Sequence, residues 1–195
     1  MAQAAEMHIY RDNWAFDERV CPCDAHLMDF IADRNIRNAA IYHFGTGGHH
    51  LVGQRCLEDG RNNSVLGITA SPTEYEEYVK LIIANPKLAG AYVAYFGDIY
   101  MLNETLLPEF DLATLFHSRE FRTEKNDAYG ALTDLDVMKI LARRLKTNGF
   151  MLFYTGSFAY DTAMGDIAKL AATGAVEEIG LFKTLRVFRR TSKAI

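Results

Sequence analysis

The sequence predicts an α/β fold of three layers, a mostly parallel seven-stranded sheet with helices on both faces and an antiparallel hairpin strand at its C-terminal end. Three observations carry this. Short apolar runs alternate with segments of helical periodicity along nearly all of the 195 residues. Strands of this kind, apolar throughout rather than alternating, are those buried on both faces of a parallel sheet. The last segment, 176–190, reads instead as two strands that close on each other around residues 182–184.

Residues 1–23 are irregular and carry Tyr10, Trp14 and Phe16. Asp24 is placed to cap a helix whose apolar face is Leu27, Met28, Phe30 and Ile31. AAIYHF (39–44) is the first strand and stops at glycines. Residues 51–58 are helical and end at Gly60, a helix-terminating residue. SVLGIT (64–69) is the second strand. Ser71 and Glu74 form a capping-box signature with Pro72 at the first helical position, and Pro86 ends that helix. AYVAYF (91–96) and DLATLF (111–116) are the third and fourth strands. A long helix is predicted over 128–145, broken by Asn148-Gly149, with FMLFYT (150–155) as the fifth strand and a last helix over 162–173 ended by Gly174.

An apolar fraction of 49% and a charged fraction of 24% are those of a globular chain, and the length fits one domain spanning 1–195. A net charge of −4 argues against non-specific attraction to nucleic acid. The basic residues Lys183, Arg186, Arg189, Arg190 and Lys193 are read as a solvated strand face. No run approaches the ~18 apolar residues of a membrane span. The N-terminus lacks the charged start and apolar block of an export signal. Three cysteines cannot all pair, and a cytoplasmic chain with reduced thiols is expected.

Five stretches then come in a telling order: AAIYHFGTGGHH (39–50), GITASPTEYEEY (67–78), AYFGDIY (94–100), FDLATLFHS (110–118) and LKTNGFMLFY (145–154). Together they resemble the successive motifs of the class I S-adenosylmethionine-dependent methyltransferases, over about residues 25–190. The resemblance implies a Rossmann-like sheet with S-adenosylmethionine as cofactor, bound by His43, Gly45, Thr46, Gly47, Thr69, Asp98, Ile99 and Phe116. Gly45 and Gly47 let the backbone turn sharply and approach a ligand. Asp98 would accept from the adenine amine, with Ile99 against the ring, or would simply cap the turn that follows it. His43 and Thr69 stand where the family has acids, so the cofactor is expected to bind more weakly than usual, and Thr69→Asp to tighten it. Position 50 is His50 rather than the glycine a nicotinamide fingerprint wants, which disfavours a dehydrogenase.

His117, just past the fourth strand, is the candidate catalytic base, neutral near pH 7, with Tyr154 and Glu120 as weaker candidates. The family's motif for amino groups of bases is absent where LFHS stands, so the acceptor is expected to be a small molecule and not nucleic acid. Tyr10, Trp14 and Phe16 would close over it as a lid or merely pack the segment down. No metal site is expected: consecutive histidines such as His49 and His50 seldom reach one ion, and Cys21 and Cys23 lack further ligands nearby in sequence. The alternative is a non-catalytic methyltransferase-like subunit acting through a protein partner or as a homodimer.

Overall fold

A computed structural model of the chain describes residues 8–11 and 13–195. The parts of the predicted N-terminal lid at 1–7 and 12 lie outside the described residues. In chain order the elements are α1 Cys23–Asp33, β1 Ala40–Phe44, α2 Leu51–Glu58, β2 Ser64–Thr69, α3 Pro72–Ala84, β3 Tyr92–Phe96, β4 Phe110–Leu115, α4 Glu124–Asp127, α5 Asp134–Arg144, β5 Leu145–Tyr154, α6 Tyr160–Ala172, β6 Val176–Phe182 and β7 Leu185–Arg190.

The seven strands form one sheet in the order β3-β2-β1-β4-β5-β7-β6. β1 to β5 are parallel, and β7 runs antiparallel to both β5 and β6. The period of two along each strand sorts its side chains onto opposite faces. Ile41, Leu112 and Leu152 pack with α1 and α2, through Leu27, Phe30, Ile31, Val52 and Cys56. Their chain neighbours Tyr42, Ala113 and Met151 pack with α5 and α6, through Met138, Leu141, Ile167 and Leu170. No helix among the described residues is long and apolar enough to cross a membrane.

Local differences from the sequence-based expectation each have a cause. Thr133 and Asp136 cap each other reciprocally, so α5 begins at Asp134 rather than near residue 128. It ends at Arg144 because Leu145 already pairs with Phe110, and a bulge with Asn148 at φ +68° lets β5 continue past Gly149. Asp24 is not a cap: Pro22 holds that position, and the Asp24 carboxylate turns inward to 2% exposure. The capping box at Ser71 is half formed, for Ser71 accepts from the Glu74 N–H while the Glu74 carboxylate goes to Thr69. The basic C-terminal strand is charge-paired with its neighbour, Arg186 with Glu178 and Arg189 with Glu177.

Candidate functional site

Strand order reverses between β1 and β4, and ligands in open α/β sheets bind where the carboxyl ends of two such strands part. Phe44 is in register with Leu115. The turn after β1 and the segment after β4 therefore emerge side by side. Gly45 (φ +97°) and Gly47 (φ +54°) lie in backbone regions that side chains disfavour. A Cβ on Gly45 would stand 2.8 Å from Cδ2 of His117, so the glycine is what lets that imidazole sit on the turn.

A second group of residues reaches this place from the start of α1. The sulfurs of Cys21 and Cys23 are 3.4 Å apart, and they and a ring nitrogen of His117 all lie within 4.8 Å of one another. Nδ1 of His117 is 3.2 Å from each oxygen of Glu120. Glu120 in turn accepts from Ser157 Oγ at 2.6 Å and from the Phe158 N–H at 3.1 Å. Tyr154, the other sequence-derived candidate, lies at the end of β5 with its ring 6.2 Å from that of His117.

The electrostatics follow from these contacts. The Cys23 thiol donating to it, and His117 beside it, hold Cys21 down to about 4 against the effect of burial. Burial works against charge on His117 too, yet its bonds to Cys21 and Glu120 hold the imidazolium up to about 10. Cys23, bonded to the Cys21 thiolate and buried, is pushed far up and stays a thiol. Both shifts favour a Cys21 thiolate beside a His117 imidazolium.

The two strand ends that lack acids have carboxylates beside them, supplied by helices. His43 is buried, with Nδ1 bonded to Thr114 Oγ1 at 2.8 Å and Nε2 3.5 Å from the Asp24 carboxylate of α1. Burial pushes His43 down to about 3 and Asp24 up to about 7. Thr69 donates its hydroxyl to Glu74 of α3 at 2.7 Å. Sequence reasoning missed Asp24 and Glu74 because both read as helix-capping residues. Their polar side chains in a helix's first turn were the available signal.

The remaining residues implied by the resemblance are at the same edge. Thr46 and Phe116 are 1% exposed, and Ile99 is buried. Asp98 accepts from the Tyr100 N–H, from Asn126 Nδ2 and from the Tyr129 hydroxyl. That uses three of the roughly four acceptor positions of a carboxylate.

The N-terminal segment crosses this edge as a strap. His8 bonds Thr123 at 2.9 Å, Tyr10 gives its N–H to the Ala70 carbonyl and its hydroxyl to the Phe121 carbonyl, and Phe16 rests on His49. Trp14 is bound through its backbone, its carbonyl taking the Gly48 N–H at 3.0 Å, while its own N–H, near the Glu74 carboxylate, lowers the pKa of that acid. Its side chain is 59% exposed. A Cβ on Gly48 would fall 1.9 Å from Asn13 Oδ1. The strap thus covers the glycine turn.

No family model matches the sequence, and no curated protein matches it. Solved structures do match. The magnesium protoporphyrin IX methyltransferase ChlM from Synechocystis PCC 6803, with bound SAM, aligns with 93% of this chain and 88% of its own at a TM-score of 0.60 and 13% identity. The cyclase SpnF aligns with 89% of this chain at a TM-score of 0.58 and 18% identity. TrmN from Thermus thermophilus aligns with 84% of it at 0.55 and 14%. The chain spans 65% of SpnF and 47% of TrmN. The shared feature is the fold, which is that of class I S-adenosylmethionine-dependent methyltransferases, and a fold carries more than one chemistry.

Proposed function

We propose that the chain binds S-adenosylmethionine and transfers its methyl group to a small-molecule acceptor, in a reducing cytoplasm. The observation that carries this reading is the contact of Gly45 with His117, which joins a glycine turn to a charged group at the switch point of this fold. When bound, the cofactor supplies an electrophilic methyl group on sulfur. The chain's own work is to bind, orient and exclude water, which is most of what a displacement of this kind needs. Gly45, Thr46 and Gly47 receive the amino-acid end, with Asp24 behind His43. Glu74, with Thr69, takes the ribose hydroxyls once the Trp14 N–H leaves it. Asp98, Ile99 and Phe116 border the adenine. His117, its Nδ1 held by Glu120, borders the acceptor.

Binding of this kind requires residues 13–16 to lift from the turn. Calorimetry with S-adenosylmethionine and its demethylated product tests the reading, with a thermal-shift measurement beside it. Both ligands are expected to bind and to raise the unfolding temperature. Absence of any effect from either sinks it.

A second reading is a non-catalytic subunit whose glycine turn is reserved for the strap until a protein partner displaces it. The backbone bond from the Gly48 N–H to the Trp14 carbonyl favours it. It predicts no cofactor binding by the isolated chain, so the same titration separates the two.

A further inference from the structure

We propose that Cys21, Cys23 and His117 form a binding site for a thiophilic divalent cation, Zn2+, in which Glu120 orients the histidine. Two sulfurs and one imidazole nitrogen are a donor set that zinc takes up in preference to hard cations. Their spacing suits one ion. Zn–S bonds of ~2.3 Å at the tetrahedral angle set two sulfurs about 3.8 Å apart. The observed 3.4 Å between Cys21 and Cys23 is a few tenths of an ångström from that spacing, and all three donors lie within 4.8 Å of one another.

The surroundings of the histidine match those of a metal ligand. A ring nitrogen of His117 lies within 4.8 Å of both thiols, Nδ1 is held by Glu120, and Glu120 is itself fixed by Ser157 and the Phe158 N–H. A carboxylate behind the imidazole sets the tautomer and ring orientation in such sites. Cys23 is 3% exposed, so the ion's charge must be neutralised locally. Two thiolates and a neutral imidazole do so. Binding of the ion displaces the protons that its ligands carry.

Asp24 lies against the same cluster, with Oδ1 3.6 Å from the Cys23 sulfur and its carboxylate oxygens 3.5 Å from Nε2 of His43 and 3.7 Å from Nδ1 of His49. Three protein ligands also leave a fourth position open on a tetrahedral ion, as in catalytic rather than structural zinc sites. His117, one of the three ligands, lies against the turn at Gly45.

The test uses the full chain, stripped of metal and kept reduced. Titration with Zn2+ against a chromophoric chelator is expected to show one equivalent bound. Substitution by Co2+ is expected to give a thiolate-to-metal charge-transfer band and a tetrahedral d–d envelope. Cys21→Ser and Cys23→Ser should abolish the band, while Cys56→Ser, which alters a buried thiol in α2, should leave it intact. Glu120→Gln should weaken Zn2+ affinity about 10–100-fold. A wild-type Co2+ spectrum without the thiolate band overturns the site, whether or not the serine variants fold. So does a band that survives both serine substitutions in folded protein, or one lost with Cys56. Zinc uptake by a chain that binds no S-adenosylmethionine would uphold the site and overturn only the methyl-transfer reading.

Discussion

The hydroxyl of Thr69 donates to the Glu74 carboxylate across 2.7 Å, so the end of β2 is joined to an acid from the first turn of α3. Burial raises the Glu74 carboxyl above its ordinary value, while the bonds from Thr69 and the Trp14 N–H oppose that shift. In the methyl-transfer reading this acid does what a strand-end acid would otherwise do. Glu74→Gln is then expected to weaken S-adenosylmethionine about tenfold or more, the equivalent of one charge-assisted bond. Thr69→Ala should weaken it less. Thr69→Asp, which sequence alone suggests as a gain, would set a second carboxylate against the first and should not tighten binding. Calorimetry on the three variants decides it, and an undiminished affinity in Glu74→Gln removes Glu74 from the site.

Gly45 and Gly60 both have positive φ, but only Gly45 faces a neighbour. A Cβ on Gly60 would meet nothing within 4 Å, whereas on Gly45 it would meet His117 at 2.8 Å. Gly60→Ala should therefore cost only the backbone term, ~1–2 kcal/mol. Gly45→Ala should cost about 1–3 kcal/mol more through overpacking. Urea unfolding of the pair isolates the contact; equal losses would mean that His117 moves aside freely.

The strap is held at the turn by backbone bonds of Trp14, which side-chain truncation cannot remove. Trp14→Pro deletes the N–H that lies near the Glu74 carboxylate and lowers its pKa. Loss of that attraction should favour the lifted strap and raise apparent affinity for S-adenosylmethionine. Unchanged or weaker binding in calorimetry would show that the strap does not compete.

His50 is buried neutral: its Nε2–H donates to the Glu74 carbonyl and its Nδ1 accepts from Tyr92, while the Tyr78 ring and the charge of Glu77 are its other neighbours. Burial lowers its pKa below the ~6.5 of an unfolded histidine. The unfolded chain therefore binds the proton more readily. The stability due to His50 is complete above pH ~6.5 and is lost as pH falls from there toward the folded value. His43 and His49, likewise lowered by burial, add to that loss, while the raised Asp24 acts in the opposite sense. Comparing wild type with His50→Gln cancels these common parts. The variant's urea midpoint should fall less steeply between pH 6.5 and 5, and parallel curves would refute the assignment.

Much of this molecule was readable along the chain because the signals are local. Apolar runs bounded by glycine, Asn-Gly and proline place β1, β2, β3 and α2 within a residue of where they lie, and the pairing of short parallel strands through helices leaves few topologies open. α5 was over-extended because the reciprocal cap of Thr133 and Asp136 and the pairing of Leu145 with Phe110 outweigh helical periodicity. Glycines at 45 and 47 announced a turn at the carboxyl end of β1, and the segment after β4 announced His117.

Sequence by itself determined the alternating strands and helices, the parallel sheet with its closing hairpin, and the glycine turn at the carboxyl end of β1. Only the tertiary structure decided what surrounds that turn. Cys21 and His117 are 96 positions apart and meet because β1 and β4 are neighbours and α1 packs across them. Asp24 and Glu74 read as helix starts, yet they face inward as the acids that His43 and Thr69 are not. Periodicity records which face of an element is apolar; it carries no information about which polar group of one element meets that of another, and the chemistry of this site consists of such meetings.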